Sequence, residues 1–274
     1  MVTLGAPALD PFPRFARYNS PYTAHRDGRA IDLYPGTKRA PSPVAGTVVE
    51  TRTMTAPSRS YAAPNDHLIV IDTGTELARI LHVDPAVEAG TTIERGEDLG
   101  PLVRSGYFAP WVDNHVHLGF RAYGTDPVRA SGSLRVALDV PLHGLTWDGT
   151  GTVRAVGDTY VILDAPVHPD PGGAFAGIAD DTGHYVFDGG VPHYETGGVH
   201  ATDSDRGSTE PISLLGTTLA PGSGTIDWES VAVFANGREI TGLSFLLGRD
   251  QTGAKLICPN VEFAVGETVT VEIA

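Results

Sequence analysis

The sequence predicts an all-β protein made of two β-rich domains, and three observations carry that reading. Thirty-three glycines and 21 prolines interrupt its 274 residues too often for long regular helices. The apolar segments between them are short and rich in valine, isoleucine and threonine, which suit a pleated, half-buried surface. From Ala24 onward no stretch keeps apolar residues at helical spacing. A chain of this length can bury two cores without disulfides.

Taken in order, residues 1–24 read as a lead-in. Its Pro11, Phe12, Pro13, Phe15, Tyr18, Pro21 and Tyr22 are too irregular for a helix, and the segment is expected to wrap over a sheet. Strands are expected at 30–34, 46–53, 67–72 and 77–82, followed by a tight hairpin over 88–100 with glycines at its bends. A strand holding His115 and His117 completes a first domain at 25–140. Residues 126–133 depart from that domain, and a connector is expected around 139–149. The second domain, 146–274, is expected to be a β-sandwich, with strands within 151–164, 183–187, 230–234 and 268–273. A polar loop is expected at 202–210, and 191–200 reads as loop-like and solvated.

The formal charge is -14, and lysine occurs only at Lys38 and Lys255, which argues against a nucleic-acid partner. Lysine depletion beside abundant acidic residues fits a protein kept soluble in high salt. On that hypothesis thermal stability is greater in molar salt than in dilute buffer, and the reverse order would dismiss it. Cys258 is the single cysteine, so an intramolecular disulfide and a multi-thiolate zinc site are both excluded. No apolar run approaches the ~20 residues of a membrane span, and no basic start leads into an apolar core. The expectation is a soluble, cytoplasmic chain without membrane insertion.

His115-Val-His117 is the most informative motif. Two imidazoles at strand spacing project from one face, and the apolar residues around them make unpartnered rings costly. A metal site answers that need; so do hydrogen bonds to carbonyls or water. Asp32 poses a similar question, as a carboxylate between Ile31 and Leu33, and reads equally as a ligand or as a hydrogen-bonded structural residue. His25 precedes it in a glycine-containing turn. A hydrolytic zinc site needs about three protein ligands, usually imidazoles and a carboxylate, with a position left open.

These segments resemble the lysostaphin-type zinc metallopeptidases, which have a His and an Asp early and a His-x-His late. Ile31-Asp-Leu-Tyr-Pro-Gly-Thr37 followed by Ser42-Pro-Val-Ala-Gly-Thr-Val-Val49 is similar to that family's Asp strand, Pro-Gly turn and Pro-x-x-Gly hairpin. His67-Leu-Ile-Val-Ile-Asp72, Ile80-Leu-His-Val-Asp84, the glycines at 90, 96 and 100, and Asn114-His-Val-His-Leu-Gly-Phe-Arg121 follow in family order. The resemblance covers roughly residues 21–130 and implies the antiparallel duplicated-hybrid-motif fold of that family.

It further implies that His25, Asp32 and His117 bind Zn2+, and that His115 and His82 face the open position. Zinc lowers the pKa of a bound water from about 16 toward about 7. One of the two remaining histidines would take a proton and the other stabilise developing negative charge, in an order the residues leave open. Asp113, Asn114 and Asp84 are candidates to orient the imidazoles. The implied substrate is a peptide of the cell-wall cross-bridge type, with the C-terminal domain binding or positioning a protein partner; the alternative is a non-catalytic binding module that keeps the fold and its metal site. Two departures stand out. Six residues separate His25 from Asp32 where family members commonly have three, so Asp27 competes as a ligand. The acidic residue often found two places after the second histidine is also absent.

Overall fold

The computed structural model describes residues 1–129, 131–202, 211–221, 225–228, 230–250 and 252–274. The polar loop expected at 202–210 therefore lies outside the described residues, Thr202 excepted. Two compact β-rich units are present, one of residues 1–15 and 27–140, the other of 16–26 and 141–274.

Along residues 1–140 the strands are β1 (Val2–Gly5), β2 (Arg14–Ala16), β3 (Ala30–Tyr34), β4 (Arg39–Pro41), β5 (Gly46–Thr55), β6 (Asn65–Asp72), β7 (Leu77–Leu81), β8 (Thr92–Ile93), β9 (Asp98–Pro101), β10 (Val116–Arg121) and β11 (Val136–Asp139). Two single-turn helices, α1 (Ala6–Leu9) and α2 (Thr23–Arg26), interrupt them. The lead-in is thus not uniformly irregular. Pro7 sits in the first turn of α1, where the missing N–H costs no hydrogen bond, and β1 pairs in parallel with β11 rather than lying across a sheet.

The main sheet of the first unit runs β3-β10-β7-β6-β5-β8. Its backbone is the long β5–β6 hairpin, paired from Thr47↔Asp72 to Thr55↔Asn65 with one register shift between Val48 and Glu50. The expected hairpin at 88–100 is not formed. A turn exists, with the Glu97 N–H donating to Glu94 O, but β8 pairs with β5 and β9 pairs with β4. Strands of two and four residues take whichever edge buries Ile93 and Leu99. All five residues of β3 are buried, and so are all of β10 except the half-buried His117. Phe12, Phe15, Ile31, Leu33, Leu68, Ile69 and Phe120 make up much of this core, each at most 1% exposed, and each such burial contributes roughly 1.5–3 kcal/mol before entropy is counted.

The second unit holds an antiparallel ladder in the order Thr225–Asp227, Thr196–Ala201, Tyr185–Val191, Gly242–Phe245, Lys255–Ile257, Tyr160–Leu163, Thr150–Val156, Thr268–Ile273, Val233–Ala235 and Arg238–Ile240. Leu142–Leu145, inside the stretch expected as a connector, is a strand paired in parallel with Phe175–Ile178. Phe187 and Phe245, stacked with centroids 5.0 Å apart, lie among Val153, Leu163, Leu243 and Leu256 in its core.

Residues 191–200 are not a solvated loop. Thr196–Ala201 is a strand, and His200 is buried with Nε2 2.9 Å from Asp188 Oδ2. Its glycines concealed it, since Gly197 and Gly198 give no strand-like alternation. They are required by packing: a Cβ at Gly197 would overlap the Trp228 ring, and one at Gly198 the Tyr18 ring.

His193 is half-buried. Burial, and then the charge of Lys255, pull its pKa from the ordinary 6.5 to about 4. The unfolded chain takes up this proton near pH 6.5, whereas the folded chain excludes it until about pH 4. Stability from this group is therefore complete above pH 6.5 and falls as the pH drops through that interval. Denaturant titrations between pH 7 and 4.5 are expected to show His193→Gln losing less stability than wild type, by up to about 3 kcal/mol. Parallel profiles would reject that assignment.

Candidate metal centre

Strand pairing brings the two central residues together. In the β10–β3 register His117 lies opposite Asp32, and directly opposed side chains of an antiparallel pair share a face. His117 Nδ1 is 2.9 Å from Asp32 Oδ1. His25 comes from α2 rather than from a turn, because the chain makes one helical turn over 23–26 before Gly28 at φ +62°. His25 Nδ1 lies 2.8 Å from the Arg17 carbonyl. A carbonyl only accepts, so Nδ1 carries the proton and Nε2 presents a lone pair.

One ligand atom each from His25, Asp32 and His117 can be chosen so that all lie within 4.8 Å of one another. Two imidazole nitrogens and a carboxylate oxygen, all at least half-buried, are a donor set suited to zinc. Asp27 is placed elsewhere, on the surface, 3.4 Å from Arg29 Nε.

His115 precedes the first residue of β10. Its Nδ1–H donates to the Asp113 carbonyl at 2.9 Å, and its Nε2 lies 3.3 Å from Asp32 Oδ1. Of the three orienting candidates named from sequence, Asp113 therefore acts, but through its backbone. His82 follows the end of β7 in the left-handed region, φ +70°, uncommon for a residue with a Cβ. Its ring centroid is 5.2 Å from that of His115 and 5.7 Å from that of His117, edge-on to both. Phe108 stacks on His115 at 4.4 Å and meets His82 at 4.6 Å. Tyr34 covers another side of His115 at 5.2 Å.

The residue that reading the sequence missed is Asp66. It is fully buried in β6. Its Oδ2 accepts from His82 Nδ1 at 2.6 Å and from Ser105 Oγ at 2.7 Å, and its Oδ1 accepts from the His67 N–H at 2.8 Å. Burial pushes its pKa up, but the bonds from His82, Ser105 and His67 together outweigh that and hold it below the ordinary carboxylate range. For His82 burial dominates and lowers the pKa, against the opposing hydrogen bond and charge of Asp66. His82 is thus neutral at pH 7, with its proton on Nδ1. Available signals were Asp66 at the start of an apolar strand and Ser105 in a Ser-Gly pair. Nothing in the spacing links either to His82, 16 residues from Asp66.

The Ser105–Val112 loop is held tightly around these rings. A Cβ at Gly106 would overlap Pro57 O. Arg104 donates to the carbonyls of Ala109, Pro110 and Val112, and Tyr61 Oη–H donates to Phe108 O at 2.8 Å. Cys258 is buried, with its thiol pushed up to about 11 by burial, and behaves as a small hydrophobe.

Fold and site together define an all-β protein with a His–Asp–His group that could hold a metal ion. The chain belongs to the family described as Domain of unknown function (DUF8155): the model of its N-terminal domain matches residues 3–138 and that of its C-terminal domain residues 124–274. No curated protein matches the sequence. Among solved structures, a zinc containing peptidase from Vibrio cholerae is similar at 21% identity with a TM-score of 0.25; the match covers 38% of this chain and 31% of that one. No helix among the described residues is long and apolar enough to cross a membrane.

Proposed function

We propose that the chain is a zinc-dependent endopeptidase of the lysostaphin kind, hydrolysing a peptide amide bond. The observation that carries this reading is the grouping of His25, Asp32 and His117 within 4.8 Å, with two further histidines beside it. Zinc, when bound, supplies Lewis acidity toward water and toward the scissile carbonyl.

The remaining steps belong to the chain. His25 is presented by the Arg17 carbonyl with Nε2 as donor atom. Asp32 supplies the negative charge of the ligand set. His82, with Nδ1 tied to Asp66, keeps Nε2 for the reaction, and His115, with Nδ1 tied to Asp113 O, holds Nε2 beside the ligand set, 3.3 Å from Asp32 Oδ1. One Nε2 accepts the proton of the attacking water and returns it to the leaving amine; the other, when protonated, donates to the oxyanion of the tetrahedral carbon. Phe108 and Tyr34 pack against these rings, fix their planes and exclude bulk water.

The substrate class we propose is a peptide such as a cell-wall cross-bridge, with the C-terminal domain positioning a protein partner. The test is hydrolysis of a glycine-rich peptide library by zinc-loaded protein. His115→Ala is expected to keep its zinc and lose at least about a hundredfold in turnover, the usual share of a proton-transfer group. A zinc-loaded wild type that cleaves no peptide would favour a binding module that has kept its metal site.

A further inference from the structure

Two arginines of the first unit carry charge into the interior with little to answer it. Arg79 in β7 is 7% exposed and Arg121 at the end of β10 is 0% exposed. In the β10–β7 register Gly119 lies opposite Arg79, and Arg121 opposite Leu77. By the period of two, both guanidinium stems rise from one face of the sheet, on either side of a position without a side chain. A methyl group built on Gly119 would meet only the Arg29 carbonyl at 3.6 Å and Ser133 Oγ at 3.7 Å, both ordinary contacts. The glycine therefore leaves room for an atom of methyl size above it.

The hydrogen bonding is incomplete. Arg121 donates from Nη1 to Ser133 Oγ and from Nη2 to the Arg129 carbonyl, both neutral acceptors. Nε of both arginines is buried without a partner, and no carboxylate pairs with either guanidinium among the described residues. Burial, and then the charge of Arg121, lower the pKa of Arg79 to about 10, and burial lowers that of Arg121; Asp126, exposed in the following turn, opposes both only at a distance. A guanidinium does not escape burial by deprotonating at neutral pH, and unpaired charges in the interior cost several kcal/mol. What remains is a counter-ion.

We propose that Arg79 and Arg121 hold a small inorganic anion over Gly119, on the sheet face that also carries His117. The site belongs to the first unit and does not depend on the zinc reading.

Thermal unfolding of the full chain, titrated separately with sodium chloride and sodium sulfate, tests this. Binding to the folded state stabilises by RT ln(1 + c/Kd) at anion concentration c, a logarithmic rise that begins near Kd, whereas exclusion of salt from the surface grows roughly in proportion to concentration and matters at higher salt. Wild type is expected to show a logarithmic rise in Tm at low concentrations of at least one anion. A rise of this form with chloride identifies a halide site, and one with sulfate an oxyanion site. Arg79→Met is expected to keep only the general salt effect, and to be no less stable than wild type in the lowest salt, since a neutral side chain replaces an unpaired charge. Arg79→Lys retains the stem and one charge, and the anion concentration at which its logarithmic rise begins is expected about tenfold higher because a point charge replaces a fork of donors. Should the methionine variant fail to fold, the lysine variant decides. No logarithmic rise in wild type, parallel curves in wild type and Arg79→Met, or an unchanged onset in Arg79→Lys would overturn the proposal.

Discussion

Asp32→Ala and His117→Ala are each expected to leave the purified protein without stoichiometric zinc, where the wild type holds one ion per chain. Each variant removes one of three donor atoms grouped within 4.8 Å. Changing only a group that orients a ligand typically lowers affinity by about 10–100-fold, so loss of a ligand itself is expected to exceed that range. Asp32 also supplies the group's only negative charge, and its Oδ1 faces both His117 Nδ1 and His115 Nε2. Elemental analysis after dialysis against a mild chelator is the measurement. Zinc at the wild-type level in both variants would defeat the ligand assignment. Chelation of the wild type supplies a second check: removing an ion that binds only the folded state lowers Tm in proportion to the logarithm of its affinity, and neither variant should respond.

Much of the architecture that positions this group was legible in the sequence because it is locally encoded. The strand at 30–34 matches its predicted bounds, and β5, β6 and β7 lie within two residues of theirs, since Val-Ile-Leu runs bounded by Gly, Pro and Asp leave little choice. His115, His117 and Asp32 announced themselves as polar groups in apolar strands. What escaped was set by long-range packing. The short strands β8 and β9 could equally have paired with each other, and only the edges offered by β5 and β4 decided against it. Thr196–Ala201 was hidden because its glycines serve the rings of Trp228 and Tyr18, which are distant in sequence. Arg17, whose carbonyl orients His25, contributes only backbone, so its side chain gives no sign of the role. Asp66 was invisible for the same reason as β8: its partners His82 and Ser105 lie 16 and 39 residues away.

Asp66→Ala is expected to destabilise the fold by about 3–5 kcal/mol, the range for breaking a buried charged network by removing one member. Three donors lose their acceptor together: His82 Nδ1–H, Ser105 Oγ–H and the His67 N–H. Its effect on the site should differ from that of a ligand variant. His82 adopts a left-handed backbone, and a single carboxylate hydrogen bond fixes its tautomer; without that bond the ring can place its proton on Nε2 and lose the acceptor the proposed chemistry uses. Zinc content should therefore stay near the wild-type level while turnover falls. Asp66→Asn separates packing from charge, since it keeps the volume but offers one oxygen and two N–H donors where three donors already converge. The contribution of Asp66 also has a definite pH window. Its pKa is lowered in the folded state, so its stabilisation is complete above the ordinary carboxylate value of 3.8 and disappears as the pH falls below it. Urea denaturation of wild type and Asp66→Asn at pH 7 and near pH 3 reads this directly: the gap between them should narrow at the lower pH. A gap that stays constant would show that the difference does not come from the ionised carboxylate, and would remove the reason to regard Asp66 as the charge that holds His82 in place.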